Sequence, residues 1–131
     1  MSGRTYRTLK TQGIEHVDYA FVILPQNTAA PKLSEGDPNG SFVSIARTGI
    51  GVYTITTADP FVAVVGWDSS IMLATPAGQY SICWGVPVQN ASNTWTMTFT
   101  IYNGASASDI AANANNRFSV WLRFRNSIGT P

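Results

Sequence analysis

The chain contains few charged residues. Asp, Glu, Lys and Arg make up 11% of its 131 residues, whereas about 25% is typical of soluble domains. Charged side chains ordinarily cover the surface of a soluble monomer. Two interpretations therefore stay open: an uncharged polar coat of Thr, Ser, Asn and Gly, or a surface hidden against partners in an assembly. The net charge of +1 argues against a nucleic-acid partner, since phosphate binding needs a basic surface.

Cysteine and histidine occur once each, as Cys83 and His16. A single cysteine excludes a disulfide within the chain, and we expect Cys83 to be a small, buried or half-buried apolar residue. A Cys–His nucleophilic pair would need these two distant residues. His16 has Glu15 and Asp18 as neighbours, but on a strand Glu15 points away from the other two. We therefore interpret His16 as the solvated start of an N-terminal strand.

The seven acidic residues are scattered, and three of them have turn sequences around them: Asp37, Asp59 and Asp68. Paired carboxylates, phosphate-binding loops and nucleophile motifs are not recognisable. The sequence thus predicts no catalytic residues, no metal site and no cofactor. We expect that the protein is not an enzyme.

Long apolar runs are also missing. No stretch approaches the roughly 20 residues of a membrane-spanning helix, so no membrane partner is expected. The N-terminal residues contain charges and lack the apolar segment of a signal peptide. We therefore expect a protein that is made and works without secretion by the general route.

The pattern that is present is that of β-strands. In residues 94–101, Trp95, Met97, Phe99 and Ile101 alternate with threonines, and a period of two puts the apolar side chains on one face. Residues 118–125 alternate in the same way. Turn sequences separate the further predicted strands, which are residues 19–24, 42–45, 51–57, 71–73 and 80–86. The fold class is therefore predicted to be all-β: a single-domain β-sandwich or jelly roll of about seven or eight antiparallel strands.

The prediction divides the chain into an N-terminal arm or edge strand over residues 1–18 and a β-sandwich over residues 19–131. Residues 25–40 are interpreted as a long surface loop or an extended arm. Evidence for helix is confined to short turns at residues 107–116 and 60–65, and a loop is nearly as compatible with the first of them.

Candidate interface residues lie near both ends of the chain. Trp121 shares a strand face with Arg123 and Arg125, opposite the apolar face, and Trp and Arg are typical anchors of protein interfaces. A locally covered outer face is the alternative. Of the other tryptophans, Trp95 and Trp84 are predicted in the core and Trp67 in a turn-like lid. The N-terminal residues that could contact a neighbour are Arg4, Tyr6 and Arg7.

Two stretches together resemble small accessory virion proteins of tailed bacteriophages: IARTGIGVYTITTADPF at residues 45–61 and FSVWLRFRNSIG at residues 118–129. The nearest type is the capsid cement, or decoration, protein of short-tailed phages, and the resemblance covers roughly residues 41–129. It implies a β-sandwich or jelly-roll subunit, made in the bacterial cytoplasm, on the outer surface of the capsid of the virion. Its implied partners are the major capsid protein and further copies of itself, as a homodimer or homotrimer.

The expected function is therefore that of a structural virion protein, which bridges major capsid proteins and stabilises the shell against the pressure of packaged DNA. The glycines of residues 48–51 would then serve a tight connection between strands. The alternative function is a phage fibre or receptor-binding β-sandwich module that recognises a host surface glycan.

Overall fold

The computed structural model describes residues 16–36, 40–76 and 78–126. In these ranges the chain forms ten strands and no helix: β1 His16–Gln26, β2 Ala29–Leu33, β3 Val43–Gly49, β4 Val52–Thr57, β5 Ala63–Met72, β6 Tyr80–Trp84, β7 Val88–Gln89, β8 Trp95–Asn103, β9 Ser106–Ala107 and β10 Arg117–Arg125. Since β7 and β9 have two residues each, the longer strands match the predicted seven or eight.

Two antiparallel sheets contain these strands. The four-stranded sheet has the order β2-β1-β10-β5, and the six-stranded sheet has the order β3-β4-β8-β6, with β7 and β9 also paired to β8. Within the described ranges, no helix is long and apolar enough to cross a membrane.

The core lies between the sheets and is supplied by alternate residues of both. From the four-stranded sheet it takes Phe21, Ile23, Phe118, Val120, Leu122 and Phe124, and from the six-stranded sheet Val43, Tyr53, Ile55, Met97, Phe99 and Ile101. Each of these is at most 4% exposed. The alternation predicted for residues 94–101 and 118–125 is therefore confirmed, and the fold is a β-sandwich.

The sequence interpretation was wrong about residues 25–40. Instead of a continuous loop or arm, this stretch contains β2, which pairs with β1 through Ile23–Leu33 and Leu24–Lys32. The register of this pair shifts next to Pro25, which lacks the N–H that a regular ladder needs. Proline and polar residues suggested a loop, but an edge strand can accommodate both.

The sequence interpretation was also wrong about residues 60–70, whereas the strand predicted at residues 71–73 is present as the end of β5. Gly66, Asp68 and two serines suggested turns, and residues 60–65 suggested a helical turn, yet Ala63–Met72 is one strand paired along β10. Trp67 and Asp68 therefore lie on a strand. Pairing with a long central strand overrides the local turn preference of these residues.

Three smaller points concern residues 107–116, Cys83 and residue 18, and only the prediction for Cys83 was wrong. Residues 107–116 form no helix, as their asparagines disfavour one. Cys83 is exposed rather than buried, because it pairs with Thr100 on the outer face of the six-stranded sheet. The boundary at residue 18 falls inside β1, where His16 already pairs with Arg125.

The hairpin between β3 and β4 explains the glycines of residues 48–51. Gly51 has a φ of +67°, and a Cβ there would lie 2.6 Å from the carbonyl oxygen of Ser108. The Asp109 carboxylate accepts hydrogen bonds from the Gly51 N–H at 2.9 Å and from two nitrogens of Arg47 at 2.9 and 2.8 Å. The hydrogen bonds from Arg47 chiefly hold the pKa of Asp109 below its ordinary value. This stretch therefore anchors the hairpin to the segment after β9.

Candidate interaction surface

The centre of the candidate surface is β10, an inner strand of the four-stranded sheet. Its residues alternate strictly between the buried core face and a half-buried outer face. The structure thus confirms that Trp121, Arg123 and Arg125 lie opposite the core face. Because β10 is paired on both sides, by β1 and by β5, its outer side chains stand on a rigid support.

Trp121 is fixed in position by its two neighbours. Its indole ring lies against Gly66 of β5, where a Cβ would approach ring atoms Cη2 and Cζ3 to 3.0 and 3.1 Å. The guanidinium carbon of Arg123 lies 5.4 Å from the centre of the same ring, a distance at which a cation is attracted to the ring face. The absence of a side chain at Gly66 therefore makes room for the indole.

Arg123 is oriented in turn by Asp18 of β1. Its Nε and Nη2 donate hydrogen bonds to the two carboxylate oxygens at 2.7 and 2.9 Å, and the side chains are 42% and 45% exposed. The hydrogen bond from Arg123 lowers the pKa of Asp18, and the same contact raises the pKa of Arg123. A pair so exposed to water contributes little to stability, so its main effect is to hold the guanidinium beside Trp121.

Among the other predicted interface residues, only Arg125 has a described position, and it is not part of this cluster. Arg125 lies further along the same face, at the end of β10. Its Nε is buried and has no hydrogen-bond partner among the described residues. Arg4, Tyr6 and Arg7 lie outside the described residues.

A groove beside Trp121 was missed by the sequence interpretation. It has a volume of about 400 Å³ and crosses the outer face of the four-stranded sheet. Its floor includes the Ser70 and Ser119 hydroxyls, which are hydrogen-bonded at 2.7 Å, and the Ser69 N–H donates to Asp68 at its rim. Glu35 lies at the other end of the groove. Asp68 and Ser70 lie on the face of Trp121 because β5 pairs with β10 in the register Trp121–Asp68 and Ser119–Ser70, and a strand assignment for residues 63–72 alone would not have shown this.

The groove combines an indole ring, hydroxyls and two carboxylates, which are groups that hydrogen-bond and stack on polar ligands. Among the described residues, no group of three or more His, Cys, Asp and Glu side chains could hold a metal ion. The arrangement can therefore bind through stacking, ion pairing and hydrogen bonds.

Comparisons with protein-family models, with curated proteins and with solved structures find no match to this chain. The fold and the surface define the class of protein: a β-sandwich with a Trp–Arg cluster on its outer face, in which Gly66 and Asp18 hold the two side chains in position.

Proposed function

We propose that this chain is a structural virion protein, a capsid cement or decoration subunit on the outer surface of a bacteriophage head. In this role it bridges neighbouring major capsid proteins and stabilises the shell against the pressure of the packaged DNA. The observation that supports the proposal best is the Trp121–Arg123–Asp18 cluster, because Trp and Arg on a rigid support are the residues that dominate binding energy at protein interfaces.

The resemblance of residues 45–61 and 118–129 to phage accessory proteins gives a second line of support. The second stretch contains most of β10 and hence Trp121 and Arg123, while the first contains most of the β3–β4 hairpin. The low charge of the chain also fits a subunit with much of its surface covered. A shell presents many copies of the same binding site, so that linked subunits bind tightly through individually weak contacts.

A receptor-binding module for a host surface glycan is the second candidate, and the groove beside Trp121 favours it. A ring face next to carboxylates and hydroxyls is suited to a sugar, which offers an apolar face and several hydroxyls. This function would use the same indole as the first candidate, so a substitution at Trp121 affects both. The two are separated by the ligand that is tested.

The test is co-sedimentation of the purified protein with heads of the encoding phage that lack it. Trp121→Ala should weaken binding to heads by at least about tenfold. Ile50→Ala, which truncates an exposed apolar residue of the β3–β4 turn, should leave it unchanged. Unfolding curves of both variants establish that they are folded.

The same proteins are also tested for binding to a glycan array and to host cells. If the wild-type protein ignores heads but binds a glycan in a manner that depends on Trp121, the cement function is wrong and the receptor-binding module replaces it.

A further inference from the structure

The two sheets both end at the same side of the sandwich. In the described part of the chain, β5 is paired with β10 along one edge and its other edge has no strand partner, and β6 likewise ends the path of the six-stranded sheet. The Trp84 Nε1–H of β6 donates a hydrogen bond to Ser69 Oγ of β5 at 2.9 Å. This contact places the edges of β5 and β6 next to each other.

The edge of β5 has fewer of the features that usually block strand pairing than the opposite edge of the same sheet. Its Asp68 carboxylate accepts a hydrogen bond from the Ser69 N–H at 2.8 Å, and this contact must be exchanged when a second strand pairs there. Edge strands of monomers are protected by Lys, Pro, bulges or short length. At the opposite edge of the same sheet, the five-residue β2 contains Pro31 and Lys32. In β5, by contrast, the register with β10 is regular from Gly66 to Met72, and the bulge lies at Val65. Asp68 is the one charged residue in that regular stretch.

Apolar side chains are exposed along this edge. On β5, Val65, Trp67 and Met72 are 46%, 42% and 43% exposed, and on the segment after β6, Val86 and Val88 are 86% and 58% exposed. A cleft of about 430 Å³ opens at the same place, with Trp67, Tyr80 and Trp84 in its lining. Exposed apolar and aromatic side chains are typical of interaction sites.

We propose that β5 of a second copy of this chain covers this edge, antiparallel to the first, around a two-fold axis at Ser69. An edge strand is complementary to itself in this geometry, because an antiparallel pair is symmetric about such an axis. Pairing joins the two four-stranded sheets into one continuous sheet of eight strands.

The position of the axis follows from the sequence of β5. Ser69 is the centre of the regular stretch Gly66–Met72. An axis there pairs all seven residues once the Ser69 N–H exchanges the Asp68 carboxylate for the partner strand. It sets Trp67 against the partner's Ile71 on the inner face and Asp68 against the partner's Ser70 on the outer face. An axis at Asp68 would instead oppose two like charges, which is destabilising.

The contact area suits a dimer of moderate affinity. The five exposed apolar side chains offer on the order of 400 Å² in each copy. With the backbone and polar atoms of the paired strands, two copies approach the roughly 1,200 Å² at the lower end of specific interfaces. This inference rests on the proposed function only because both require a subunit that associates with itself. In the dimer, Trp121 stays free on the outer face.

Two substitutions at one position test the pairing. In the full-length chain, Ser70→Asp places a carboxylate against the partner's Asp68 twice per dimer, and Ser70→Lys places an ammonium group there. Both lose the same hydrogen bond to Ser119, so they are matched controls. Molar mass is measured by sedimentation equilibrium over a wide range of concentrations, and unfolding curves verify that both variants are folded.

The wild-type protein should have twice its chain mass of 14.1 kDa. Ser70→Asp should weaken the dimer at least about tenfold, and Ser70→Lys should keep or strengthen it. A wild-type monomer or trimer, or equal effects of the two substitutions, would overturn the proposal. If the wild-type protein is a monomer and its β5 amides are still protected from hydrogen exchange, the edge of β5 is covered by residues of the same chain outside the described ranges, and the proposal is wrong. No heads are present, so failure here leaves capsid binding untouched.

Discussion

Tyr53 connects the two sheets at the centre of the core. Its ring stacks on Phe99 of the same sheet, with centroids 5.4 Å apart, and meets Phe118 of the other sheet edge-on at 5.4 Å. The side chain is fully buried, and its hydroxyl has no hydrogen-bond partner among the described residues. Burial raises the pKa of Tyr53 to about 12, with a further contribution from the Asp109 carboxylate.

Replacing this tyrosine should therefore stabilise the protein. Tyr53→Phe keeps the ring and removes a buried hydroxyl without a partner, so the free energy of unfolding near neutral pH should rise by about 1 kcal/mol. The effect should grow in alkali. Unfolded tyrosine loses its proton near pH 10 and the folded residue near pH 12, so the folded state binds more protons in this window and its stability falls as pH rises.

Urea unfolding of both proteins at about pH 8 and about pH 11 measures this difference. The stability advantage of Tyr53→Phe should be larger at the higher pH. A variant that is less stable than the wild type at both pH values would show that the hydroxyl has a partner, and the interpretation of the core would be wrong.

Single residues also show how far sequence reasoning extends. Strict alternation in β10 predicts Trp121 and Arg123 on the outer face, and the structure confirms it. Cysteine is usually buried, which predicts a buried or half-buried Cys83, but its place in β6 opposite Thr100 makes it exposed. The support that Gly66 gives to Trp121 could not be predicted, since it depends on which strand lies next to β10.

Among the structural elements, the β3–β4 hairpin depends most on one residue. A Cβ at Gly51 would lie 2.6 Å from the Ser108 carbonyl oxygen and 2.7 Å from that of Ile101, and its φ is positive. Gly51→Ala should therefore lower the free energy of unfolding by roughly 2–4 kcal/mol. Gly104 has nearly the same φ, of +66°, but a Cβ there would have no other atom within 4 Å.

Gly104→Ala is consequently the matched control, and it should cost about 1 kcal/mol through backbone strain alone. Thermal and urea unfolding of the two variants provide the comparison. Equal losses would mean that the contacts of Gly51 with the segment after β9 do not constrain the hairpin.

The strands with strict alternation were predictable, whereas β2 and most of β5, which have mixed signals, were not. Residues 94–101 and 118–125 have one apolar face each, and both strands are present in the structure. β2 and β5 contain proline, glycine, aspartate or serine, which favour turns in isolation. They are strands because β1 and β10 offer long edges for pairing, and such partners are not visible in a local sequence window.

For the molecule as a whole, the two sides of the sandwich differ. The side of β2 contains Pro31 and Lys32, which disfavour further pairing, whereas the side of β5 and β6 exposes apolar residues and aromatic rings. The outer face of the four-stranded sheet presents Trp121 and Arg123. A subunit that pairs through β5 would present two copies of this cluster on one continuous sheet, as a bridge between neighbouring shell proteins requires.

The most direct test of the central proposal is electron cryomicroscopy of the encoding phage, combined with quantitative mass spectrometry of purified virions. The proposal predicts this chain in large stoichiometric excess over tail components. It also predicts density on the outside of the head, with the Trp121 face of the four-stranded sheet against the shell. Absence from the head, or a few copies confined to the tail, would contradict the proposal.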